Sequence, residues 1–562
     1  MKRLLLALAC AALTSAQAQS TTKPSAKATP SKPATAPAAD PKPAPSPPPP
    51  STVVVSQEIE GKLDGIANKL DTNERLSRKL DGIATKLEAT DMVATKLDGI
   101  LDKLREHDKV LDKLATPPPA PVKVETAPAP AKVEVAPAPP VVPSVPPEAL
   151  SKLQANIDYV WIILTGALVF FMQAGFVMLE IGACRAKNTI NIVMKSFLDF
   201  CICAIVYLLV GCPLMFGTSW LGLIGTDGFN MATLAGDHRL YVFFFFQLGF
   251  AGVSCTILSG AVAERTKFLG YLLYCAFFSA FIYPVIGHWV WGGAGAAFGI
   301  GTADGGWLQR MGFIDYAGST VVHACGGACS LAGIFAVGPR VGRFAKDGTP
   351  RLIAGHNIPL VTLGVLFLWF GWFGFNAGSS LSATEVIGRL IVNTTISPAA
   401  GGIAAMVSMW FIQGKPDVNI AMNGMLGGAV AITANCHVVT PAAAIAIGLV
   451  GGIITTVATI ALERWQIDDP VGAVPVHFAC GWWGTLCVAL FNEKGFDMKS
   501  LGIQALGVFS VSLYSFIVAG LFFIVVRLIM PLRATEEEQI NGLDFSEHAA
   551  NAYPDFQTTE QA

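Results

Sequence analysis

DYAGSTVVHACGG at residues 315–327 and DPVGAVPVHFACG at residues 469–481 carry one phrase twice: an aspartate, seven intervening residues, a histidine and then Cys-Gly a few positions on. Both phrases lie in strongly apolar surroundings. An ionisable side chain at bilayer depth is costly, and by default it marks a pathway for substrate, ions or protons. Its recurrence as His323 and His477 points to an internally duplicated transporter with one histidine per half. The alternative is a pair of unrelated helix-packing histidines.

Composition sets the class around these phrases. Hydrophobic residues make up 52% of the 562, charged residues 14%, and the mean hydropathy is +0.53. That profile excludes an ordinary soluble enzyme and points to an all-α polytopic membrane protein in a lipid bilayer. The net charge of -2 gives no sign of a nucleic-acid partner. The twelve cysteines form no disulfide framework; all but Cys10 lie in or beside apolar segments, where they behave as small hydrophobes.

Eleven apolar segments follow one another, beginning near residues 156, 189, 240, 268, 317, 357, 389, 420, 441, 472 and 503. The pattern predicts a membrane domain over 151–530 and a polar tail over 531–562. Upstream, Lys2 and Arg3 precede a short apolar run closed by Ala16-Gln17-Ala18, which reads as a signal peptide over 1–18. A lipoprotein signal ending at Cys10 is the weaker option, because its apolar run would be too short. Cleavage after Ala18 leaves the N-terminus periplasmic, and eleven spans then put the C-terminus in the cytoplasm of a bacterium, with the inner membrane between. Loop charges agree with this orientation: Arg185, Lys187, Arg265, Lys267, Arg340, Arg343, Lys346, Arg351, Lys415 and Arg464 fall on the predicted inside, while the outside holds fewer, among them Arg310 and Lys494.

With five spans per half, the halves lie upside down to one another, as a five-plus-five inverted repeat plus one helix. Gln173-Ala174-Gly175 in the first span is echoed by Asn376-Ala377-Gly378 in the sixth. Each histidine lies roughly 10–12 Å into its span from opposite faces at about 1.5 Å per residue. The two imidazoles are therefore expected to meet near the midplane.

Between the signal and the membrane domain lie a Pro/Ala-rich linker (19–57), an amphipathic repeat (58–115) and a Pro-rich linker (116–150). KLDGI recurs at Lys62, Lys79 and Lys96, a period of seventeen residues. Leu63, Ile66, Leu70, Leu80, Ile83, Leu87, Leu97, Ile100 and Leu104 have the a–d–a spacing of a helical seam, interrupted by a stammer in each repeat. A periplasmic helical extension capable of forming a coiled coil is the expectation. Separate strands binding the cell envelope are the other.

The phrases WFGFNAGS (372–379), GAVAER (260–265), GHWVWGG (287–293), DYAGSTVVH (315–323), DDPVGAVPVH (468–477) and EEEQINGLD (536–544) together resemble the Amt/Mep/Rh ammonium transporter family, and its bacterial Amt branch most closely. The resemblance covers about residues 155–553 and leaves the extension outside. It implies a homotrimer of eleven-span subunits, each with its own pore carrying ammonium or ammonia, no cofactor and no enzymatic activity. Carried over residue by residue, it assigns Trp291, Phe250 and Ser379 to an outer recruitment site, Phe250 and Phe375 to a stacked phenyl gate, and His323 and His477 to the pore. Asp315, Asp469 and Asn376 become structural supports. The tail resembles a regulatory segment that, in bacterial relatives, packs beneath the neighbouring subunit and helps to dock a P-II-type nitrogen signalling protein.

The chemistry suits these residue types. Aromatic faces and a hydroxyl hold a small cation through cation–π attraction of roughly 0.5–2 kcal/mol and a hydrogen bond. An apolar constriction rejects hydrated ions, and paired imidazoles can hydrogen-bond ammonia and pass a proton. Two histidines with no carboxylate or thiolate ligand nearby make an incomplete metal site. Asp315 is expected to cap a helix, with proton acceptance as its rival role. Lys195 and Asp199 are four apart and are expected either to pair with each other or to find partners on a neighbouring span; His288 is expected to pack. No nucleophile–base set supports an enzyme, and an ammonium sensor with little transport is the competing class. If the extension only ties subunits together, deleting residues 19–148 behind the signal should leave ammonium flux intact and lower oligomer stability in detergent. Unchanged stability on size-exclusion chromatography overturns that role.

Overall fold

The computed structural model describes residues 146–229 and 238–554, so the signal peptide, linkers and repeat expected before residue 146 lie outside the described residues. Eleven apolar helices follow: α1 Pro147–Ala183, α2 Ala186–Phe216, α3 His238–Ala261, α4 Phe268–Phe298, α5 Ser319–Val337, α6 Ile358–Gly378, α7 Val386–Gln413, α8 Val418–Thr433, α9 Pro441–Arg464, α10 Val474–Leu490 and α11 Met498–Ile529. Nine are long and apolar enough to cross a bilayer; α8 and α10 are shorter. A two-stranded hairpin, β1 Ser219–Trp220 with β2 Ile224–Gly225, follows α2. Two short helices, α12 Glu536–Asn541 and α13 Leu543–His548, form the tail.

The segment starts expected from hydropathy fall within or close to these helices. The first differs most: α1 begins at Pro147 and runs for 37 residues, so the end of the supposed Pro-rich linker is helical. Proline is tolerated there because a first-turn amide has no intrahelical acceptor to lose.

Packing repeats between the halves. α1 runs along α6, α3 packs on α5 as α8 packs on α10, and the starts of α5 and α10 cross each other. Close approach along α1 and α6 depends on small residues: a Cβ at Gly364 would lie 2.5 Å from the Leu179 amide nitrogen. Asp315 starts α5 on one face of the bundle, whereas Asp469 starts α10 on the other face, where the tail lies. The repeat is therefore inverted, and the chain is a polytopic helical membrane protein.

The tail face is held by buried ion pairs. The Arg340 guanidinium grips Asp468 through Nε and Nη2, both at 2.9 Å, while the Arg340 amide donates to the same carboxylate at 2.8 Å. Glu264 accepts from Arg185 Nε at 2.8 Å and faces Arg340 Nη1 at 3.5 Å. Asp468 is 1% exposed and Glu264 is fully buried. Together they tie the loops after α1, α3, α5 and α9.

The tail is strapped across this face of its own chain. The Ala534 amide donates to the Arg265 carbonyl, Lys267 bridges Glu538 and Glu547, and Asp544 accepts from the Asn191 amide. Tyr553 meets His356 at 2.9 Å.

Burial alone would raise the Asp468 pKa, but the Arg340 hydrogen bonds and the Arg265 and Arg340 charges outweigh it and hold the carboxyl well below its ordinary range. A carboxyl depressed on folding stabilises the fold fully above its unfolded pKa of about 3.9, and that contribution is lost as the pH falls toward the folded value. Arg340→Met leaves Asp468 and Glu264 buried with fewer partners and should cost about 3–5 kcal/mol. The check is thermal unfolding in detergent at neutral pH, where an unchanged midpoint would discard the clasp as a stabilising element.

Candidate pore

Each half builds its histidine in the same way. Asp315 accepts from the amides of Gly318 (2.9 Å), Thr320 (2.9 Å) and Val321 (2.8 Å). Asp469 accepts from the amides of Gly472 (3.0 Å) and Val474 (2.7 Å). These are amides that a helix start leaves without intrahelical acceptors, and a carboxylate is their strongest neutral-pH partner. Both turns pass through a glycine at positive φ, 112° at Gly318 and 80° at Gly472, which a side chain would strain. Both then enter a wide π-helical turn, Ser319–Ala324 and Val474–Ala479, and each turn contains the histidine. Ser254 of α3 donates to the Val322 carbonyl at 2.9 Å, so the irregular backbone keeps a partner.

The histidines meet. His323 Nδ1 lies 3.1 Å from His477 Nδ1, with the rings 5.2 Å apart and nearly parallel at 18°. One Nδ1 must donate and the other accept. In the neutral pair one Nε2 is then a bare acceptor and the other carries a proton. His323 is 0% exposed and its Nε2 has no hydrogen-bond partner.

A file of rings leads to this pair from the face opposite the tail. Trp291 stands edge-on to Phe250 at 6.2 Å, and its Nε1 donates to the Asp315 carbonyl at 2.7 Å. Phe250 stacks on Phe375 at 4.1 Å and 20°, close enough for van der Waals contact with no guest between. Phe375 lies 5.5 Å from His323, and Phe176 stands 6.2 Å beyond His477. Ser379, part-buried on α6, turns its hydroxyl to the Phe375 carbonyl at 2.8 Å. Asn376 Nδ2 reaches Thr394 Oγ1 at 2.9 Å, joining α6 to α7.

Lys195 and Asp199 take partners on other spans instead of pairing. Lys195 Nζ donates to the Ser259 carbonyl of α3 at 3.3 Å, and Asp199 accepts from the Tyr271 hydroxyl of α4 at 2.8 Å. Four-residue spacing puts both on one side of α2, but each finds a separate partner, and Asp199 Oδ1 is buried without one. His288 is buried between the Met215 carbonyl and Ser219 Oγ, each at 2.8 Å.

Two residues near the pair were given no role by the sequence, although Trp372 opens the WFGFNAGS phrase. Trp372 stacks on His323 at 5.2 Å and is anchored by Thr433 Oγ1 at 2.9 Å. Glu180, near the end of α1, lines the same small cavity as His477. Among the described residues no cluster of three or more His, Cys, Asp or Glu could hold a metal ion.

The sequence profile of the Ammonium Transporter Family matches residues 160–553. The ammonium transporter Amt2 of Archaeoglobus fulgidus is 43% identical over 445 residues, which cover 74% of this chain and 92% of that protein. Amt1 of Haloferax mediterranei, another ammonium transporter, is 38% identical across 71% of this chain and 80% of its own length. Among solved structures, a Sensor Amt Protein superimposes with a TM-score of 0.68 at 42% identity, covering 71% of this chain and all of that one. Mep2 of Candida albicans superimposes with a TM-score of 0.61 at 26% identity, over 69% and 88%. By profile, by relatives that are transporters and not enzymes, and by fold, this chain belongs to the ammonium transporter family.

Proposed function

We propose that the file of rings ending in the His323–His477 contact is the conduction path, and that ammonium is recruited, stripped of a proton and carried along it as ammonia. The imidazole contact at 3.1 Å supports this reading best. The mouth is Trp291, Phe250 and Ser379. The indole is held by the Asp315 carbonyl, so Asp315 positions the mouth while its side chain caps α5. The π faces attract the cation, and the Ser379 hydroxyl accepts one of its four N–H bonds.

The stacked phenyls of Phe250 and Phe375 must part to admit a guest. A hydrated cation gains too little from phenyl faces to offset its lost water, whereas neutral ammonia loses far less. Ammonium therefore gives up a proton at the gate, and the bare Nε2 of the imidazole pair just beyond it takes that proton up. Beyond the gate, ammonia donates to the bare Nε2 of the imidazole pair and accepts from the protonated one. A proton taken up at the bare Nε2 lets the shared Nδ1 proton pass to the second ring, whose Nε2 then releases its own; the roles reverse, and the pair relays the proton. The orientation inferred from signal and loop charges places the mouth in the periplasm of a bacterial inner membrane and the strap in the cytoplasm. A homotrimer, with a P-II-type protein docking at the tail, fits the strap's exposed position.

A second reading is an ammonium sensor, favoured by the likeness to a solved Sensor Amt Protein. Liposome currents separate the two: a transporter passes flux in proportion to protein under an ammonium pulse, and a sensor passes almost none.

His323→Ala or His477→Ala should each change flux or ammonium-over-potassium selectivity about tenfold or more, the scale of losing one positioned hydrogen-bonding group worth roughly 1.4 kcal/mol or more. Wild-type flux and selectivity in both variants would refute the relay.

Trp291→Leu should raise the half-saturating ammonium concentration about 2- to 30-fold, as the loss of a cation–π contact predicts. Ser379→Ala should act in the same direction. Phe375→Ala should instead alter flux or potassium leak with half-saturation nearly unchanged. Flux titrations that showed the reverse pattern would exchange the assignments of mouth and gate.

A further inference from the structure

Glu180 is an ionisable group that the pathway leaves unused. It is 1% exposed and shares with His477 a cavity walled by Phe176, Asn423, Val471 and Val476. Its Oε2 accepts from Ser259 Oγ at 2.8 Å and, at the limit of hydrogen bonding, from Ser196 Oγ at 3.5 Å. Lys195 Nζ donates to the carbonyl of that same Ser259. One residue of α3 thus stands between the carboxylate and the lysine, and the two charges do not touch. Gly260 packs against the carboxyl, where an added Cβ would lie 3.2 Å from the Glu180 Cδ. Asn423 brings an amide to the cavity; its Nδ2 is bonded to the Val471 carbonyl at 3.0 Å.

We infer that this cavity is a second cation site, in which ammonium re-formed beyond the histidine pair is held by Glu180 before it leaves on the tail face. The inference rests on the conduction path proposed above. Ammonia that has regained a proton next to Phe176 and Val476 is a cation in apolar surroundings, a costly position without a counter-charge. Glu180 supplies the charge, and the Asn423 amide oxygen and the outer nitrogen of His477 are further acceptors for its N–H bonds.

Lys195 sets how tightly the site holds. A lone buried carboxylate would trap the cation, and a conducting site must bind weakly enough to release. A lysine held one residue away lowers the field at the cavity without closing it.

The test uses the full-length protein in liposomes of one orientation, with external ammonium pulses given after graded ammonium is loaded on the tail-face side. In the wild type, loading should slow initial uptake as the site fills. Glu180→Gln should raise the internal concentration for half-slowing about tenfold or more, the effect of losing one charge-assisted contact. Half-saturation on the mouth side should stay within about twofold, the range left by a distant site. Asn423→Leu fills the cavity while leaving the carboxylate's hydroxyl partners alone, and should shift internal sensitivity in the same direction, so the test survives if Glu180→Gln does not fold. Wild-type internal sensitivity in every variant that folds overturns the site. Absence of uptake in the wild type instead overturns the conduction path, which is a separate result.

Discussion

Two carboxylates that bind backbone amides control the geometry of the rest. In a hydrocarbon environment every amide needs a partner, and a helix that starts inside the bundle presents several without one. Asp315 and Asp469 take up those amides at the starts of α5 and α10. With its oxygens bonded to three amides, Asp315 is suited to capping more than to proton transfer. Once both starts are fixed, the two π turns bring the imidazoles within 3.1 Å, and the Asp315 carbonyl holds the Trp291 indole. The proposed mouth, gate and relay are thus registered to one turn of backbone.

Buried ion pairs gather on the tail face. The strongest ion pairs, Arg340 with Asp468 and Arg185 with Glu264, lie on the tail face, where they tie loops together. Along the ring file the polar groups are imidazoles, an indole and a hydroxyl. This division matches the chemistry that the proposed conduction of ammonia requires: full charges in the narrow part would bind ions and desolvate them at great cost, while neutral donors and acceptors serve a small neutral amine. Glu180 stands at the border between the two zones.

Most of the fold was legible in sequence because the membrane writes a strong signal. The eleven apolar segments lie within or close to eleven helices, and the repeated Asp–His phrase identified matching places in the two halves. Helix ends were less legible: polar residues carry α1 back to Pro147, because a helix continues past the hydrocarbon edge wherever propensity allows. The two histidines could be expected to meet from their depth in inverted halves. Trp372 stood at the head of the WFGFNAGS phrase, but its place behind His323 depends on how α6 packs against α5, which the phrase does not encode. Glu180 was silent, a single acidic residue near a helix end. The partners of Lys195 and Asp199 depended on where α3 and α4 place Ser259 and Tyr271, which spacing along α2 does not encode. The residues before 146 and after 554 are outside what the structure describes, so the extension rests on its repeat alone.

The wide turns carry a further consequence for how this pore can change. A π turn holds one residue more than the α-helical turn it replaces, so the number of residues between each aspartate and its histidine is itself part of the geometry. Removing the extra residue of such a turn closes it to a regular α turn and leaves the helix beyond it facing as before, whereas removing one residue from regular helix turns everything beyond it about 100° around the axis. Each π turn therefore carries one residue of spare length, and α5 and α10 carry it at matching places in the two halves.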